Sequence, residues 1–202
     1  MMVTFIDCSA SLNLKIMEQQ SITQSRWILF TTLGWVVGIA LAVLFAESLD
    51  VLHLEYFGLG LGVATGIGFM QFLALRKVNG MNIRWMIFTI VGIGSTFLFF
   101  NLVLMKVDLN MEGVPGIILM ILAASLGGLF TGYLQQRGRW MWYSFGGWAM
   151  CSVLISSYGL IVAPMHLEQT AVGALFNVLA MLIGGLVIGI VTGKGITGVK
   201  SQ

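Results

Sequence analysis

Charged side chains are scarce in this sequence, and their scarcity argues against a soluble domain. Asp, Glu, Lys and Arg make up 9% of the 202 residues, whereas soluble domains carry about 25%. The 2 cysteines, Cys8 and Cys151, stand in different contexts, so neither a disulfide framework nor a cysteine metal site is expected. The net charge of +2 is small, and we expect no nucleic acid partner.

Apolar residues and glycine dominate instead. Hydrophobic residues account for 58% of the chain and the mean hydropathy is +0.96, values typical of a membrane protein. The 26 glycines agree, because glycine is common in transmembrane helices and lets them approach closely. The N-terminus lacks a basic region leading into an apolar core, so we expect no cleaved signal peptide.

Six apolar runs predict an all-α protein of six transmembrane helices. They cover roughly 27–46, 57–75, 85–105, 114–134, 140–163 and 170–192. Each run is about 19 to 24 residues long, enough to cross a hydrocarbon core at about 1.5 Å per residue. Their interiors contain no Asp, Glu, Lys or Arg, so each run can insert without burying a charge.

The charges between the runs predict the orientation. Basic residues cluster on one side of the six runs: Lys15, Arg26, Arg76, Lys77, Arg84, Arg137, Arg139, Lys194 and Lys200. Lys106 alone lies on the other side, together with most of the acids. The positive-inside tendency therefore predicts cytoplasmic termini, with residues 1–25 as a cytoplasmic or interfacial segment and 26–202 as a single membrane domain.

An internal repeat organises this domain. An Arg-Trp pair starts every odd run: Arg26-Trp27, Arg84-Trp85 and Arg139-Trp140. The same offsets then bring Thr31 and Gly34, Thr89 and Gly92, and Ser144 and Gly147. We interpret the chain as three tandem helical hairpins, about 26–83, 84–138 and 139–194. The Arg-Trp pairs are predicted to anchor the hairpins at the membrane interface, because indole suits the headgroup layer and guanidinium reaches phosphate.

The even runs carry a second signature. A small residue, a glycine four positions later and a polar residue three after that share one helix face: Ala64, Gly68 and Gln71; Gly128, Gly132 and Gln135; Gly185, Gly189 and Thr192. Such faces pack helices closely, and the polar residue can hydrogen-bond to a neighbour. We expect three hairpins around a pseudo-threefold axis with the glycine faces inward. Hairpins lined up side by side are the alternative.

The end of the second run carries a resemblance. Gly68 and Gln71, followed by Leu73, Leu75 and Arg76, resemble a loose group of uncharacterised bacterial polytopic membrane proteins. Their repeated Gly-rich hairpins end in Gln-Trp-Leu-x-Leu-Arg. The Trp of that pattern is replaced here by Phe72 and, in the second hairpin, by Gln136. The resemblance implies a bacterial cytoplasmic membrane and no particular activity.

Candidate catalytic groups are few. His53 and His166 fall in different outer loops, each near an acid, and would form a weak metal or proton site only if the loops met. Solvated interface histidines are the simpler interpretation. The segment from Gly58 to Gly62 lacks the strand and the Lys-Ser or Lys-Thr of a nucleotide-binding loop.

The absence of such groups favours a non-catalytic membrane subunit. We expect it to pack, to bind lipid or pigment at its rim and to dock to other membrane subunits. The six tryptophans, all in odd runs, are expected to form an interface belt. No cofactor is required by the sequence. The alternative is a transporter or channel for a small, uncharged or weakly charged solute along the axis between the even helices, with Gln71, Gln135 and Thr192 as its inner ring.

Overall fold

The computed structural model describes residues 22–76, 83–107, 114–135, 138–162 and 171–197. These residues form six long helices: α1 (Gln24–Leu49), α2 (Glu55–Leu75), α3 (Arg84–Val107), α4 (Val114–Leu134), α5 (Trp140–Val162) and α6 (Ala171–Thr197). A short 3-10 turn, Asp50–Leu52, follows α1. The predicted all-α class is confirmed. Of the predicted N-terminal segment 1–25, residues 1–21 lie outside the described residues.

The helix ends differ from the apolar runs where polar residues extend a helix. Helix α1 begins at Gln24, before the first run, because the side chain of Thr23 accepts a hydrogen bond from the backbone N–H of Arg26 (3.3 Å) and caps the helix. Helix α6 continues past Thr192 to Thr197. The apolar runs therefore predict where each helix lies, but local capping and packing decide where it ends.

Five of the six helices are long and apolar enough to cross a membrane: α1, α2, α3, α4 and α6. Helix α5 has 23 residues and is not among these five. The membrane character expected from the composition is thus confirmed for five helices.

The six helices form a closed ring. Each helix packs against the helices before and after it in sequence, and α6 packs against α1. Consecutive helices run antiparallel, so the N-termini of α1, α3 and α5 and the C-termini of α2, α4 and α6 share one end of the ring. That end carries Arg26, Arg76, Arg84, Arg139 and Lys194.

Helices α1 and α2 make the tightest pair. A Cβ added to Gly38 would stand 2.9 Å from the Cα of Val63, and one added to Gly58 would stand 2.7 Å from the backbone of Phe45 and Ala46. Real side chains cannot approach so closely, so only glycine fits at these two positions. Gly58, part of the Gly-rich segment at the start of α2, therefore has a packing role.

Candidate functional site

Three tryptophans meet at the centre of the ring. Trp27, Trp85 and Trp140 lie in the first turns of α1, α3 and α5. Their ring centroids lie 6.1 Å apart for Trp27 and Trp85, 5.5 Å for Trp27 and Trp140, and 5.4 Å for Trp85 and Trp140. Two of the three pairs are edge-on, a favourable arrangement of aromatic quadrupoles. We refer to these residues as the tryptophan cluster and to this end of the ring as the tryptophan end.

Each indole of the cluster donates a hydrogen bond to the polar residue near the end of the preceding even helix. Trp85 Nε1 donates to Gln71 Oε1 (3.2 Å) and Trp140 Nε1 donates to Gln135 Oε1 (2.5 Å). Trp27 Nε1 donates to Thr192 Oγ1 (2.9 Å), which joins the last helix to the first. All three acceptors are buried. The three bonds therefore link helix pairs around the ring at one level.

The two glutamines also bond back to the helix before them. Gln71 Nε2 donates to Thr31 Oγ1 (3.4 Å), and Gln135 Nε2 donates to Thr89 Oγ1 (3.1 Å). Each glutamine side chain thus bridges two odd helices. Thr192 lacks an amide, and its hydroxyl donates to its own helix at the carbonyl of Ile188 (2.5 Å). Hydrogen bonds of this kind between membrane helices contribute about 0.6 to 2 kcal/mol each.

The predicted packing glycines occupy matching contacts between neighbouring helices. A Cβ on Gly132 would stand 2.5 Å from the Cα of Met141, and one on Gly189 would stand 3.0 Å from the Cα of Ile28. At Gly68 it would stand 3.2 Å from the carbonyl of Met86. The contacted residue in each case immediately follows the tryptophan of the next odd helix. The same relation therefore recurs at α2 and α3, at α4 and α5, and at α6 and α1.

The first position of the small-residue signature behaves in the same way. Gly128 packs on Trp148 of α5 and Gly185 on Trp35 of α1, while Ala64 is fully buried. These residues lie between neighbouring helices. The sequence had instead predicted that the glycine faces would point towards the axis. Side chains of the odd helices fill the axis instead.

Five of the six tryptophans are buried in the protein, which differs from the interface belt expected from the sequence. Trp27 has no exposed surface, and Trp142 alone is well exposed, at 61%. Arg84 and Arg139 are exposed at the tryptophan end, and the guanidinium of Arg26 lies 5.6 Å from the centroid of Phe30. Arg84 and Arg139 thus lie at the protein surface, whereas the indoles beside them contact protein.

Two further layers of odd-helix side chains lie above the tryptophan cluster. The first consists of Thr31, Thr89 and Ser144, all buried. The second consists of Trp35, Ile93 and Trp148, and the rings of Trp35 and Trp148 lie 5.9 Å apart. Each layer is four residues further along the helices, about 6 Å. The axis is therefore packed from the tryptophan end to the second layer.

A cavity of about 340 Å³ lies beyond the second layer. Side chains from all six helices line it: Trp35, Ile39, Ala42, Val43, Leu59, Val63, Ile93, Phe97, Met120, Ala124, Trp148, Ser152, Ile155, Ser156, Tyr158, Asn177, Ala180 and Met181. Its volume lies in the range of small-molecule sites, about 300 to 1,000 Å³. Trp35, Ile93 and Trp148 form its floor, so the cavity occupies the half of the ring opposite the tryptophan end.

The polar groups of the cavity lie on one wall. Ser152, Ser156 and Tyr158 belong to α5, and Asn177 belongs to the facing part of α6. Tyr158 Oη donates to Asn177 Oδ1 (2.9 Å). Ser152 Oγ already donates to the carbonyl of Trp148 (2.8 Å). The described lining residues include no charged side chain. The cavity is therefore suited to an apolar molecule that needs few hydrogen bonds.

The turn between α1 and α2 is held by an amide. Asn101 of α3 is buried, its Nδ2 donates to the carbonyl of His53 (2.7 Å), and its Oδ1 accepts from the backbone N–H of Phe57 (3.1 Å). His53 adopts a left-handed conformation with φ of 54°, which is uncommon for a residue other than glycine. Asn101 thus fixes both the turn and the start of α2.

The histidine hypothesis receives no support from the described residues. They hold no group of three or more His, Cys, Asp and Glu side chains able to bind a metal. The carbonyl of His53 serves the turn, and His166 lies outside the described residues. Cys151 is free and buried in the core, in contact with the Gly184 region of α6.

Sequence reasoning missed the tryptophan cluster and the cavity. A usable signal was present, since Trp27, Thr31 and Trp35 are four residues apart on one helix face, and Trp140, Ser144 and Trp148 repeat the spacing. Residues that share a face with a buried hydroxyl belong to the interior. The cavity left no comparable signal, because most of the residues that line it are ordinary apolar residues.

Comparison with known proteins adds no further assignment: no family model, curated protein or solved structure matches the chain.

Proposed function

We propose that this chain is a non-catalytic integral membrane protein, built as three tandem hairpins, that holds a lipophilic molecule inside its helix ring. The observation that carries the proposal is the cavity of about 340 Å³, which is lined by side chains from all six helices and has Trp35, Ile93 and Trp148 as its floor. A site of this size with apolar walls and a few polar groups on one side is the usual form of a small-molecule site.

The three-hairpin architecture is supported by the recurring contacts. Gln71, Gln135 and Thr192 each accept from a cluster tryptophan, and Gly132 and Gly189 each meet the residue after such a tryptophan. In this architecture α5 crosses the membrane like its counterparts α1 and α3, because its Trp140 lies at the same level as their tryptophans. The charged end of the ring then faces the cytoplasm.

Binding is favoured over transport by the packing of the axis. The three indoles touch one another at the tryptophan end, and the side chains that would form an inner ring for a solute, Gln71 and Gln135, are engaged with tryptophan and threonine. A path through the ring would have to separate all three indoles and break these bonds. The sequence predicted a lipid or pigment at the rim of the protein. We propose that this molecule binds inside the ring instead.

A space-filling substitution tests this function. Ala180 lines the cavity and is half-buried, so Ala180→Phe should fill it, whereas Ala40→Phe places the same ring on the exposed face of α1. Both variants and the parent protein are purified in mild detergent, and their bound lipophiles are extracted and identified by mass spectrometry and visible absorption. We expect a molecule in stoichiometric amount with the parent and Ala40→Phe, and its loss from Ala180→Phe.

Equal retention by the two variants would place the molecule outside the cavity and contradict the proposal. Ser156→Phe, which enters the same cavity from α5, serves where Ala180→Phe fails to accumulate. Docking to a larger membrane assembly stays a prediction, which chains co-purifying in stoichiometric amount would support.

A further inference from the structure

The cavity is asymmetric along the ring axis. Its floor consists of Trp35, Ile93 and Trp148, and its polar pair, Tyr158 and Asn177, lies further along α5 and α6, towards the end of the ring that is opposite the tryptophan cluster. Tyr158 follows Trp148 by ten positions on the same helix, which corresponds to about 15 Å along the axis. The space between the floor and the pair is lined mainly by apolar side chains.

The polar pair retains hydrogen-bonding capacity. The bond from Tyr158 Oη to Asn177 Oδ1 uses the hydroxyl proton and one amide lone pair. The amide N–H groups of Asn177 can still donate, and the hydroxyl oxygen of Tyr158 can still accept. A hydroxyl or carbonyl group brought to the pair would therefore find both a donor and an acceptor. Ser156 adds a third polar group on the same wall.

The floor offers no equivalent position. The buried indole Nε1 of Trp35 lacks a partner among the described residues, but it lies 3.4 Å from the point where a Cβ on Gly184 would stand, beside the thiol of Cys151. It faces the packed wall between α1, α5 and α6. A polar group at the floor would thus be placed among aromatic and aliphatic side chains, at an energetic cost.

From this asymmetry we infer that the ligand is a neutral, single-chain amphiphile, bound with its hydrocarbon tail on the floor of Trp35 and Trp148 and its uncharged polar head at Tyr158 and Asn177. The inference rests on the proposed function and names the ligand class of the same cavity. A charged head is excluded by the lining, since the described lining residues hold no counter-charge and transfer of an unpaired ion into an apolar site is costly.

Brominated alcohols test the orientation, because bromine quenches tryptophan fluorescence at short range. Two isomers of bromodecanol are titrated into the purified protein, one brominated at the end of the tail and the other beside the hydroxyl. Trp142 is replaced by Phe in every sample, since it is the exposed tryptophan and contacts detergent. We expect saturable quenching that is stronger for the tail-brominated isomer and that falls in Trp35→Phe and Trp148→Phe.

Head recognition is tested by matched variants. Asn177→Leu should weaken decanol binding about fivefold, the effect of one neutral hydrogen bond, and should leave the binding of a bromoalkane of the same length unchanged. Tyr158→Phe removes one hydroxyl with little change of shape and should act in the same direction. Decylamine should bind at least about tenfold more weakly than decanol because its charge is unpaired in the cavity.

The outcomes separate the two proposals. Stronger quenching by the isomer brominated beside the hydroxyl, or equal affinity of the parent and Asn177→Leu for decanol, would overturn the tail-first orientation while leaving a lipophile-binding cavity. The cavity function itself would be overturned if neither isomer bound saturably and if the parent protein and Ala180→Phe retained equal amounts of bound lipophile.

Discussion

Replacing Gly132 by Ala is the most direct perturbation of the contact between α4 and α5. The added Cβ would stand 2.5 Å from the Cα of Met141, about 0.9 Å short of the 3.4 Å at which ordinary carbon contacts begin. The obstacle is backbone, so the two helices must separate. Gln135 lies three residues further along the chain, directly after the end of α4, and the separation would also strain its bond from Trp140.

The expected loss of stability follows from these distances. Overpacking of a tight core costs about 1 to 3 kcal/mol, while Gly to Ala in a helix gains at most about 1 kcal/mol in propensity. We expect Gly132→Ala to lower the free energy of unfolding by up to about 2 kcal/mol. The larger side chain of Gly132→Leu should prevent assembly of the helices into the ring. The measurement is thermal or denaturant unfolding of the purified protein in mild detergent, followed by tryptophan fluorescence.

Gly146→Ala is the matched control in α5. A Cβ there would meet only Val191 Cγ1 at 3.9 Å, an ordinary contact, so the control should match or slightly exceed the parent protein in stability. If Gly132→Ala unfolds together with Gly146→Ala, the contact of Gly132 with Met141 does not limit the stability of the protein, and the prediction is refuted.

Three further predictions address other parts of the ring. Gln135→Leu leaves the buried Trp140 indole without an acceptor and should destabilise the protein by about 1 to 3 kcal/mol in the same unfolding assay; unchanged stability would show that the bond contributes nothing. Asn101→Leu removes two hydrogen bonds to the turn between α1 and α2 and should increase proteolysis near residues 50–54; equal proteolysis of the variant and the parent protein would contradict this expectation. In a background without native cysteines, Asp50→Cys should react with an impermeant maleimide added outside right-side-out vesicles and Arg139→Cys should not; the reverse pattern would invert the predicted orientation.

Much of the helix layout was predictable because it depends on length and polarity alone. The run 114–134 coincides with α4, and the run 57–75 ends where α2 ends. Extension beyond the last run could not be predicted from polarity. Gly193, Lys194 and Gly195 resemble a polar stop, yet α6 continues because the two glycines pack against Trp27 and Trp140 at the tryptophan end.

The inner face of each helix was harder to predict. Helices that are apolar on every side give no contrast between a face towards lipid and a face towards protein. Tryptophan suits both the headgroup layer and a packed interior, so Trp27 and Trp142 looked alike in the sequence, although the first is buried and the second is 61% exposed. The hydroxyl four residues after Trp27 is the distinguishing sign, because Thr31 is buried as well.

Because α6 packs against α1, the order of the helices around the ring has no first or last member, unlike their order along the chain. The hydrogen bond from Trp27 to Thr192 is the same kind of link as the bonds within the chain at Trp85 and Trp140. A circular permutant opened between α4 and α5, with the old ends joined by a flexible linker, would keep all six helix pairs. Removal of residues 84–135, by contrast, would leave the Gln71 acceptor of α2 and the Trp140 donor of α5 on the two sides of a gap in the ring.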